Sequence, residues 1–194
     1  MPDEPNPADP QRREIGRTVI HKGAKFDFEQ LTLTTPSGRT ITREVVNHPG
    51  AVCILPILET AEGPKIVLIR NDRFALGETL WELPAGTREV GEEPIVTAAR
   101  ELEEETGYVG ATIEPLGWFY TTPGMTNEAM HCYLATGLSA SEQQLEADER
   151  ITVHPTPLNQ ALKMLDDQEI RDGKAIVTFH LALRQGKLPG VSSA

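Results

Sequence analysis

The sequence has few of the features that mark secreted, disulfide-linked or membrane proteins. It contains two cysteines, Cys53 and Cys132, each inside an apolar run, so at most one bridge could form, and we interpret both as buried reduced thiols. The first residues, MPDEPNPADPQ, lack the apolar segment of a signal peptide, and no later run approaches the length of a membrane span. These absences predict a cytoplasmic protein that does not enter membranes.

Several catalytic motifs are also missing. The five histidines, at positions 21, 48, 131, 154 and 180, do not have the spacing of metal ligands, which argues against a zinc site. There is no Gly-x-Ser-x-Gly turn and no glycine-rich phosphate loop. Acyl transfer and P-loop chemistry are therefore not expected.

Basic residues are scarce relative to acidic ones. The chain has 18 lysines and arginines against 29 aspartates and glutamates, for a net charge of -11. Such a charge repels nucleic-acid backbones and anionic membranes, so neither is expected as a partner. A small diphosphate substrate would be repelled as well, and a site that handles one would need bound cations.

The length and composition predict one catalytic domain with an N-terminal extension. The chain has 194 residues, of which 39% are hydrophobic, enough for one core but hardly for two full domains. Residues 1–16 are rich in prolines and charges and are predicted to be a disordered tail, and residues 189–194 a flexible one. Between them, residues 17–47 contain three strand-like stretches, which predict a small antiparallel unit that must pack on the main domain or on a second chain.

The main domain is predicted to span residues 48–188. It begins after the break His48-Pro49-Gly50 with AVCILPILE, an apolar run typical of a central strand that is buried on both faces. Further strand-like and helical segments alternate up to the C-terminus. This interleaving predicts an α/β fold, an α/β/α sandwich around a mixed sheet.

The segment from Gly86 to Tyr108, GTREVGEEPIVTAARELEEETGY, is the most informative part of the chain. Pro94 suits the first turn of a helix and Gly107 its C-terminal cap, which predicts a helix over residues 94–106. Helical periodicity places one predicted core stripe and one acidic face on this helix. The stripe consists of Ile95, Ala99, Leu102 and Thr106, and the acidic face of Glu101, Glu104 and Glu105.

Three carboxylates on one helical face repel each other, by a few tenths of a kcal/mol for each close pair. Arg100 can reach Glu104 but cannot neutralise the whole cluster. Magnesium, which binds carboxylates together with substrate phosphates, could do so. A solvated acidic surface is the alternative, and on the helix alone it is the more common outcome.

The wider pattern resembles the Nudix box, in which a glycine, a glutamate and an Arg-Glu-apolar-x-Glu-Glu-x-Gly run stand at fixed spacing. The residues in register are Gly86, Glu92, Arg100, Glu101, Leu102, Glu104, Glu105 and Gly107, with Tyr108 where the family usually has an aliphatic residue. The resemblance implies two or three Mg²⁺ ions, replaceable by Mn²⁺. It also implies metal ligands at Glu101, Glu105 and the Ala85 carbonyl, with Glu104 as a ligand or a water-mediated neighbour and with Arg100 orienting the carboxylates.

Beyond the box, REVVNHPGAVCILPIL, LIRNDRFALGETLWELPAG and FYTTPGMTNEAMHCYLA resemble the ADP-ribose pyrophosphatase group of the family. The resemblance implies hydrolysis of a nucleoside-diphosphate sugar, first of all ADP-ribose, with GDP-mannose, other nucleotide sugars and dinucleotides as alternatives. It further implies a homodimer formed through the N-terminal strands, and substrate contacts by Arg43, Arg73 and Glu128. For each of these three, an ordinary surface salt bridge is the alternative.

A general base is also implied, because in these relatives a glutamate on a late loop acts on the attacking water. Here the acidic loop LEADERITVH offers Glu146, Asp148 and Glu149. Glu149 is the first choice, Glu146 the second, and Glu104 a further candidate.

Two other functions compete with this hypothesis. A non-catalytic sensor of nucleotide sugars would tolerate loss of the metal-binding glutamates, all of which this chain keeps. An enzyme that removes oxidised nucleoside triphosphates would not need the N-terminal strands.

Overall fold

The structure, a computed structural model, describes residues 13–23, 26–147 and 149–191. Most of the predicted N-terminal tail, the C-terminal end of the chain and Asp148 of the acidic loop therefore lie outside the described residues. The described chain forms two compact units. The first comprises residues up to Gly50 together with Tyr120–Ala129, and the second comprises Ala51–Phe119 and Met130 onward.

The first unit contains a three-stranded antiparallel sheet in the order β1-β2-β3. Its strands are β1 (Arg13–Lys22), β2 (Asp27–Thr34) and β3 (Thr40–Asn47). β1 begins four residues before the predicted start at Arg17, since pairing with β2 extends to Arg13 opposite Thr34. The turn predicted at Pro36-Ser37-Gly38 joins β2 to β3, with Gly38 at a positive φ of 78°.

The second unit is built on a mixed seven-stranded sheet in the order β10-β5-β4-β9-β8, in which β6 pairs with β5 and β7 with β4. β4 and β9 run parallel, whereas β4 pairs with β5 and β7 antiparallel. The strands are β4 (Ala51–Leu58), β5 (Lys65–Arg73), β6 (Glu78–Glu82), β7 (Ala85–Thr87), β8 (Tyr108–Tyr120), β9 (Ala129–Ala140) and β10 (Ile151–Pro157). The helices are α1 (Pro94–Thr106), α2 (Leu158–Asp166) and α3 (Gly173–Arg184).

β4 divides the core into two layers because its side chains alternate between the faces of the sheet. Cys53 and Leu55 pack with buried residues of α2 and α3, including Phe179. Val52 and Ile54 pack on the other face with buried residues of α1. The predicted α/β/α arrangement around a mixed sheet is confirmed, and this layering fixes α1 on one face of the sheet.

Both cysteines are buried and unbridged, in agreement with the sequence interpretation. Cys53 and Cys132 lie opposite each other on β4 and β9. Burial raises the pKa of the Cys132 thiol to about 11 and raises that of Cys53 well above its ordinary value, so both thiols stay protonated at neutral pH. In the described residues, no helix is long and apolar enough to span a membrane.

The core stripe predicted for α1 is partly wrong. The helix has the predicted bounds and ends at Gly107, whose φ of 68° is the left-handed cap that glycine favours. Leu102 and Thr106 are buried as predicted, but Ile95 and Ala99 are exposed. The buried positions are instead occupied by Thr97, Ala98, Glu101 and Glu105. The helix is therefore rotated about its axis so that part of its acidic face packs against the sheet.

Candidate active site

The acidic face of α1 is mostly buried. Glu101 and Glu105 are only 8% and 3% exposed, whereas the side chain of Glu104 is 40% exposed. A buried ionised carboxylate is costly unless it is paired or bound to a cation. The solvated-surface alternative therefore fails for two of the three glutamates.

Arg100 organises one side of this cluster. Its guanidinium donates hydrogen bonds to Glu101 Oε1 at 2.8 Å and to Glu104 Oε2 at 3.0 Å. It also donates to both carboxylate oxygens of Glu92, at 3.2 and 3.3 Å. One arginine thus links the loop before α1 to two glutamates on the helix.

Glu92 fixes the loop that precedes the helix. Its Oε2 accepts hydrogen bonds from the Glu89 amide at 3.1 Å and from Thr97 Oγ1 at 2.8 Å. The hydrogen bonds from Arg100, despite some burial, lower the pKa of Glu92 to about 2. It is therefore ionised under all ordinary conditions and anchors Arg100.

Glu105 is held by the strand before the loop. The backbone N–H of Ala85 donates a 2.8 Å hydrogen bond to Glu105 Oε2. The neighbouring Gly86 is required for space, because a Cβ at this position would overlap the Glu101 carboxylate. Glycine therefore allows β7 to approach the glutamates of α1.

The pKa values of the two buried glutamates are raised. Burial is the largest cause for Glu101, opposed by Arg100 and reinforced by the charges of Glu104 and Glu149, and its pKa is about 7. Burial also dominates for Glu105, where the Ala85 amide opposes it and the charges of Glu101 and Glu149 add to it, and its pKa is about 8. The protein's own groups leave these carboxylates incompletely neutralised, and a divalent cation would complete the neutralisation.

The donors fit a hard divalent cation such as magnesium, which prefers carboxylate and carbonyl oxygens. Among the described residues, however, no three acidic, histidine or cysteine side chains are arranged to hold a metal ion. Arg100 engages Glu101 and Glu104, and the Ala85 amide engages Glu105. The oxygens are therefore of the right chemistry, but they are bonded to protein donors.

The acidic candidates lie in the loop between β9 and β10, residues 141–150, which is called the acidic loop below and is attached to the end of α1. The Ser141 amide donates to the Gly107 carbonyl at 2.6 Å, and the Gln144 amide to the Glu104 carbonyl at 2.9 Å. The side-chain amide of Gln143 donates to the Glu105 carbonyl at 2.7 Å. These bonds satisfy carbonyls that the helix end leaves unpaired, so the loop begins at a fixed place beside the glutamates.

Of the two base candidates that the structure describes in the acidic loop, Glu149 is the one whose charge acts on the cluster. Its charge contributes to the raised pKa values of both Glu101 and Glu105. Glu149 Oε2 accepts a 2.9 Å hydrogen bond from the amide of Glu146, whose side chain is exposed. The third candidate, Asp148, lies outside the described residues.

Arg73 belongs to a buried ion-pair network. Its Nε and one terminal nitrogen donate to the two oxygens of Glu82, at 2.7 and 2.5 Å, and Lys174 Nζ donates to the same carboxylate. Burial raises the pKa of the fully buried Glu82, but Arg73 and Lys174 outweigh it and the net pKa is lowered. Arg73 is thus fixed in orientation, while its side chain stays 40% exposed.

The sequence reasoning missed Glu82, Lys174 and Gln143. A glutamate inside the apolar strand segment TLWELPA was the available signal for Glu82, because charges are rare in such positions unless paired. Nothing in the local sequence around Lys174 or Gln143 indicated their partners, which lie 92 and 38 residues away.

The two remaining predicted residues lie in the first unit. Arg43 is exposed on β3, and its guanidinium donates to the adjacent Thr42 carbonyl at 2.7 Å. Glu128 accepts a 2.6 Å hydrogen bond from Thr121 Oγ1, and its carboxylate lies 3.7 Å from His48 Nε2. Arg43 therefore makes a hydrogen bond to a carbonyl rather than a salt bridge, and Glu128 lies at ion-pair distance from a histidine; the substrate contacts of both residues stay predictions.

Comparisons with family models, curated proteins and solved structures agree with each other. A NUDIX domain model matches residues 47–179. The chain is 40% identical over 178 residues to an ADP-ribose pyrophosphatase of Bacillus subtilis, covering 90% of this chain and 95% of the relative. It is 43% identical over 169 residues to a methanol dehydrogenase activator of Bacillus methanolicus, covering 86% and 90%. A solved structure described as an ADP compounds hydrolase matches with a TM-score of 0.78 at 19% identity, covering 94% of this chain and all of that one.

Proposed function

The chain belongs to the Nudix family, and we propose that it hydrolyses the diphosphate bond of a nucleoside-diphosphate sugar, with ADP-ribose as the substrate and AMP and ribose 5-phosphate as products. The observation that carries this proposal is the pair of buried glutamates, Glu101 and Glu105, whose charges the protein leaves incompletely neutralised next to Glu149. The name of the Bacillus subtilis relative supports ADP-ribose as the first substrate to test.

The proposal includes magnesium ions, two or three in number, with manganese as a substitute. Glu101, Glu104, Glu105 and the Ala85 carbonyl would hold them, since all four offer hard oxygen ligands. When bound, such ions neutralise the charge of the diphosphate and of the leaving phosphate and make water more acidic. Binding would require Glu101 and Glu104 to exchange contacts with Arg100, which donates to both.

The other roles in the proposed reaction belong to individual side chains and backbone groups. Arg100 orients Glu101 and Glu104, and the Ala85 amide orients Glu105. Glu149 is the proposed general base that takes the proton of the attacking water, because its charge acts on the cluster while its carboxylate accepts a hydrogen bond from a loop amide rather than from Arg100. Glu146 and Glu104 are the second choices for this role.

Arg73, Arg43 and Glu128 are the proposed substrate-binding residues. The bidentate contact with Glu82 supports the substrate-binding role of Arg73, because it holds the guanidinium in one orientation. For Arg43, the resemblance implies a contribution to the active site of a partner subunit in a homodimer. Exposed apolar residues on the N-terminal strands, Val19, Ile20 and Phe28, support such a dimer, since exposed apolar patches often mark protein–protein contacts.

A cytoplasmic location is also proposed. Both cysteines are free and buried, although they face each other on neighbouring strands, and this fits a reducing compartment.

The test is steady-state hydrolysis of ADP-ribose, GDP-mannose, NADH and dGTP with magnesium, with products separated by chromatography. The proposal expects the highest kcat/KM for ADP-ribose. Preference for GDP-mannose or NADH would support the proposed reaction but identify a different substrate. Preference for dGTP would instead favour an enzyme that removes oxidised nucleoside triphosphates. Absence of turnover with every substrate, together with saturable binding of ADP-ribose, would instead favour the non-catalytic sensor.

A further inference from the structure

A polar cavity lies in the same unit as the glutamate cluster, between β5, β6, β10 and the end of the acidic loop. Its volume is about 510 Å³, and the side chains that matter for its chemistry are Arg70, Asp72, Arg150 and His154. None of these residues belongs to the proposed catalytic or metal-binding set.

The cavity opens on the face of the sheet opposite to α1. Leu68, two residues before Arg70 on β5, is buried in the core layer formed with α2 and α3. Alternate residues of a strand share a face, so Arg70 lies on this face as well. Trp81 and Thr152 are the cross-strand neighbours of Arg70 on β6 and β10 and line the same side. The glutamates of α1 belong to the helix on the other face.

Arg70 is held in place but incompletely bonded. Its guanidinium lies 5.1 Å from the centre of the Trp81 ring, a cation–π contact that fixes the side chain. Its Nε is buried and has no hydrogen-bond partner, and one terminal nitrogen makes a long contact of 3.4 Å to the Thr79 carbonyl. A buried donor without a partner is costly, and it is the feature that a bound acceptor would relieve.

The charges in the cavity favour an anion. Arg70 and Arg150 form no ion pair with any described residue, so no carboxylate of the described chain is paired with their charges. Asp72 is the opposing charge, and its carboxylate already accepts a hydrogen bond from Thr79 Oγ1. His154 Nε2 lies 2.8 Å from Thr152 Oγ1, which adds a polar group at the rim. Two guanidinium groups that line the same cavity can donate hydrogen bonds to the oxygens of one phosphate group.

The loop connects this cavity to the active site. Its first residues are bonded to the carbonyls at the end of α1, as described for Gln143 and Gln144. Its last part supplies Leu145 and Arg150 to the cavity wall, and Glu149 is the immediate neighbour of Arg150. A ligand that holds Arg150 would therefore also restrict the backbone at Glu149.

We propose that this cavity is a regulatory site for a phosphate-bearing anion, which Arg70 and Arg150 bind and which thereby orders the loop that carries Glu149. The ligand is either free phosphate or a phosphate monoester. The binding part of the proposal does not depend on the proposed reaction, since it can be measured without turnover.

The experiment is calorimetric titration of the full-length protein with inorganic phosphate and, separately, with AMP, in EDTA and at low ionic strength. EDTA removes divalent cations, without which the acidic cluster repels phosphate. We expect saturable binding that weakens as salt is added. Tighter binding of phosphate would identify the free anion as the ligand, and tighter binding of AMP would identify a monoester.

Three substitutions locate the binding. Arg70→Ala and Arg150→Ala should each weaken it by about tenfold or more, the scale of losing a hydrogen bond to a charged group. Asp72→Asn should tighten it, because it removes the opposing charge and keeps an acceptor for Thr79. Arg184→Ala, which removes an exposed arginine at the end of α3, is the matched control and should change nothing. If Arg70→Ala does not fold, Arg150→Ala still tests the proposal, because Arg150 is exposed and its replacement should leave the fold intact.

Hydrogen exchange supplies the second readout. Phosphate should protect the amides of residues 145–150 in the wild type but not in Arg150→Ala. The proposal is overturned if no saturable binding occurs at millimolar phosphate, if binding appears only with magnesium, or if Arg70→Ala and Arg150→Ala both bind like the wild type. Binding without protection of the loop overturns the regulatory part.

Discussion

The backbone N–H of Ala85 donates a 2.8 Å hydrogen bond to Glu105 Oε2 and joins the short strand β7 to the buried side of α1. This contact holds a carboxylate that is 3% exposed, and its pKa is raised to about 8 mainly by burial. The same glutamate is a proposed metal ligand. Its substitution therefore tests the metal site directly.

Glu105→Gln is expected to lower kcat by roughly 10²-fold or more while the fold remains intact. Glutamine keeps the size of the side chain and an oxygen that can accept the Ala85 hydrogen bond, but it removes the charge that binds a cation. Glu103→Gln is the matched control, because the Glu103 carboxylate accepts its hydrogen bond from Ser141 Oγ and contacts neither Arg100 nor the other glutamates. Steady-state kinetics and circular dichroism check the result, and activity within a few-fold of the wild type would refute the metal-ligand assignment.

The metal-free protein is expected to lose stability as the pH rises from about 5 to above 8. Glu101 and Glu105 have pKa values of about 7 and about 8 in the folded state, above the ordinary 4.5. Between these limits the folded protein binds more protons than the unfolded chain, so the free energy of unfolding decreases with pH. Thermal melts in EDTA measure this.

Magnesium should reverse this trend, since it binds the ionised carboxylates and its stabilising effect grows with pH. Glu105→Gln removes one of the two titrating groups and should flatten the pH dependence in EDTA. A melting temperature that is independent of pH between 5 and 8 in the wild type would contradict the burial of these charges.

Glu149→Gln is expected to lower kcat by ~10²-fold or more with little change in KM, the scale for losing one acid–base group. Glu146→Gln tests the second choice for the base, whose side chain is exposed in the same loop. Asp148→Asn completes the set. If only Glu146→Gln reduces kcat, the base is Glu146 and not Glu149. If all three variants keep near-normal rates over a range of pH, the base lies elsewhere, with Glu104 as the remaining candidate.

Gly86→Ala is expected to impair both stability and magnesium binding. A Cβ at Gly86 would overlap the Glu101 carboxylate, so either the strand or the glutamate must move. Gly173→Ala is the control, because a Cβ there meets nothing within 4 Å. Magnesium titration and thermal melts should show a loss for the first variant alone, and normal affinity in Gly86→Ala would disprove the close packing of β7 against α1.

The protein is expected to sediment as a dimer at micromolar concentration, and Ile20→Lys is expected to shift it to a monomer. Ile20 is 50% exposed on β1, and a charge there would oppose burial in an interface. Thr18→Lys adds the same charge on the same strand and separates the loss of an apolar contact from the charge itself. A monomeric wild type would contradict the dimer, and a monomer from both variants would indicate that charge alone disrupts it.

Periodicity and the fixed spacing of the box were sufficient to predict α1 from Pro94 to Thr106, the central strand at Ala51 and the mixed sheet between helices. Such patterns are local, because side-chain direction follows directly from the helical and strand repeats. Alternation along β4 also divides the core between the two layers of helices. The same local reasoning failed for Ile95 and Ala99, since the rotation of a helix about its axis depends on what packs against it.

By itself, the sequence determined the family pattern, the elements and the identity of the acidic residues on α1. The tertiary structure decided which of these acids are buried, because burial of Glu101 and Glu105 depends on β7 and on a loop 38 residues further along the chain. It also brought Arg73 and Lys174 to the same buried glutamate, Glu82, from positions 9 residues before it and 92 after. The sequence cannot give these pairings, since hydrogen bonding and charge burial depend on distances in space that only the packed sheet and helices fix.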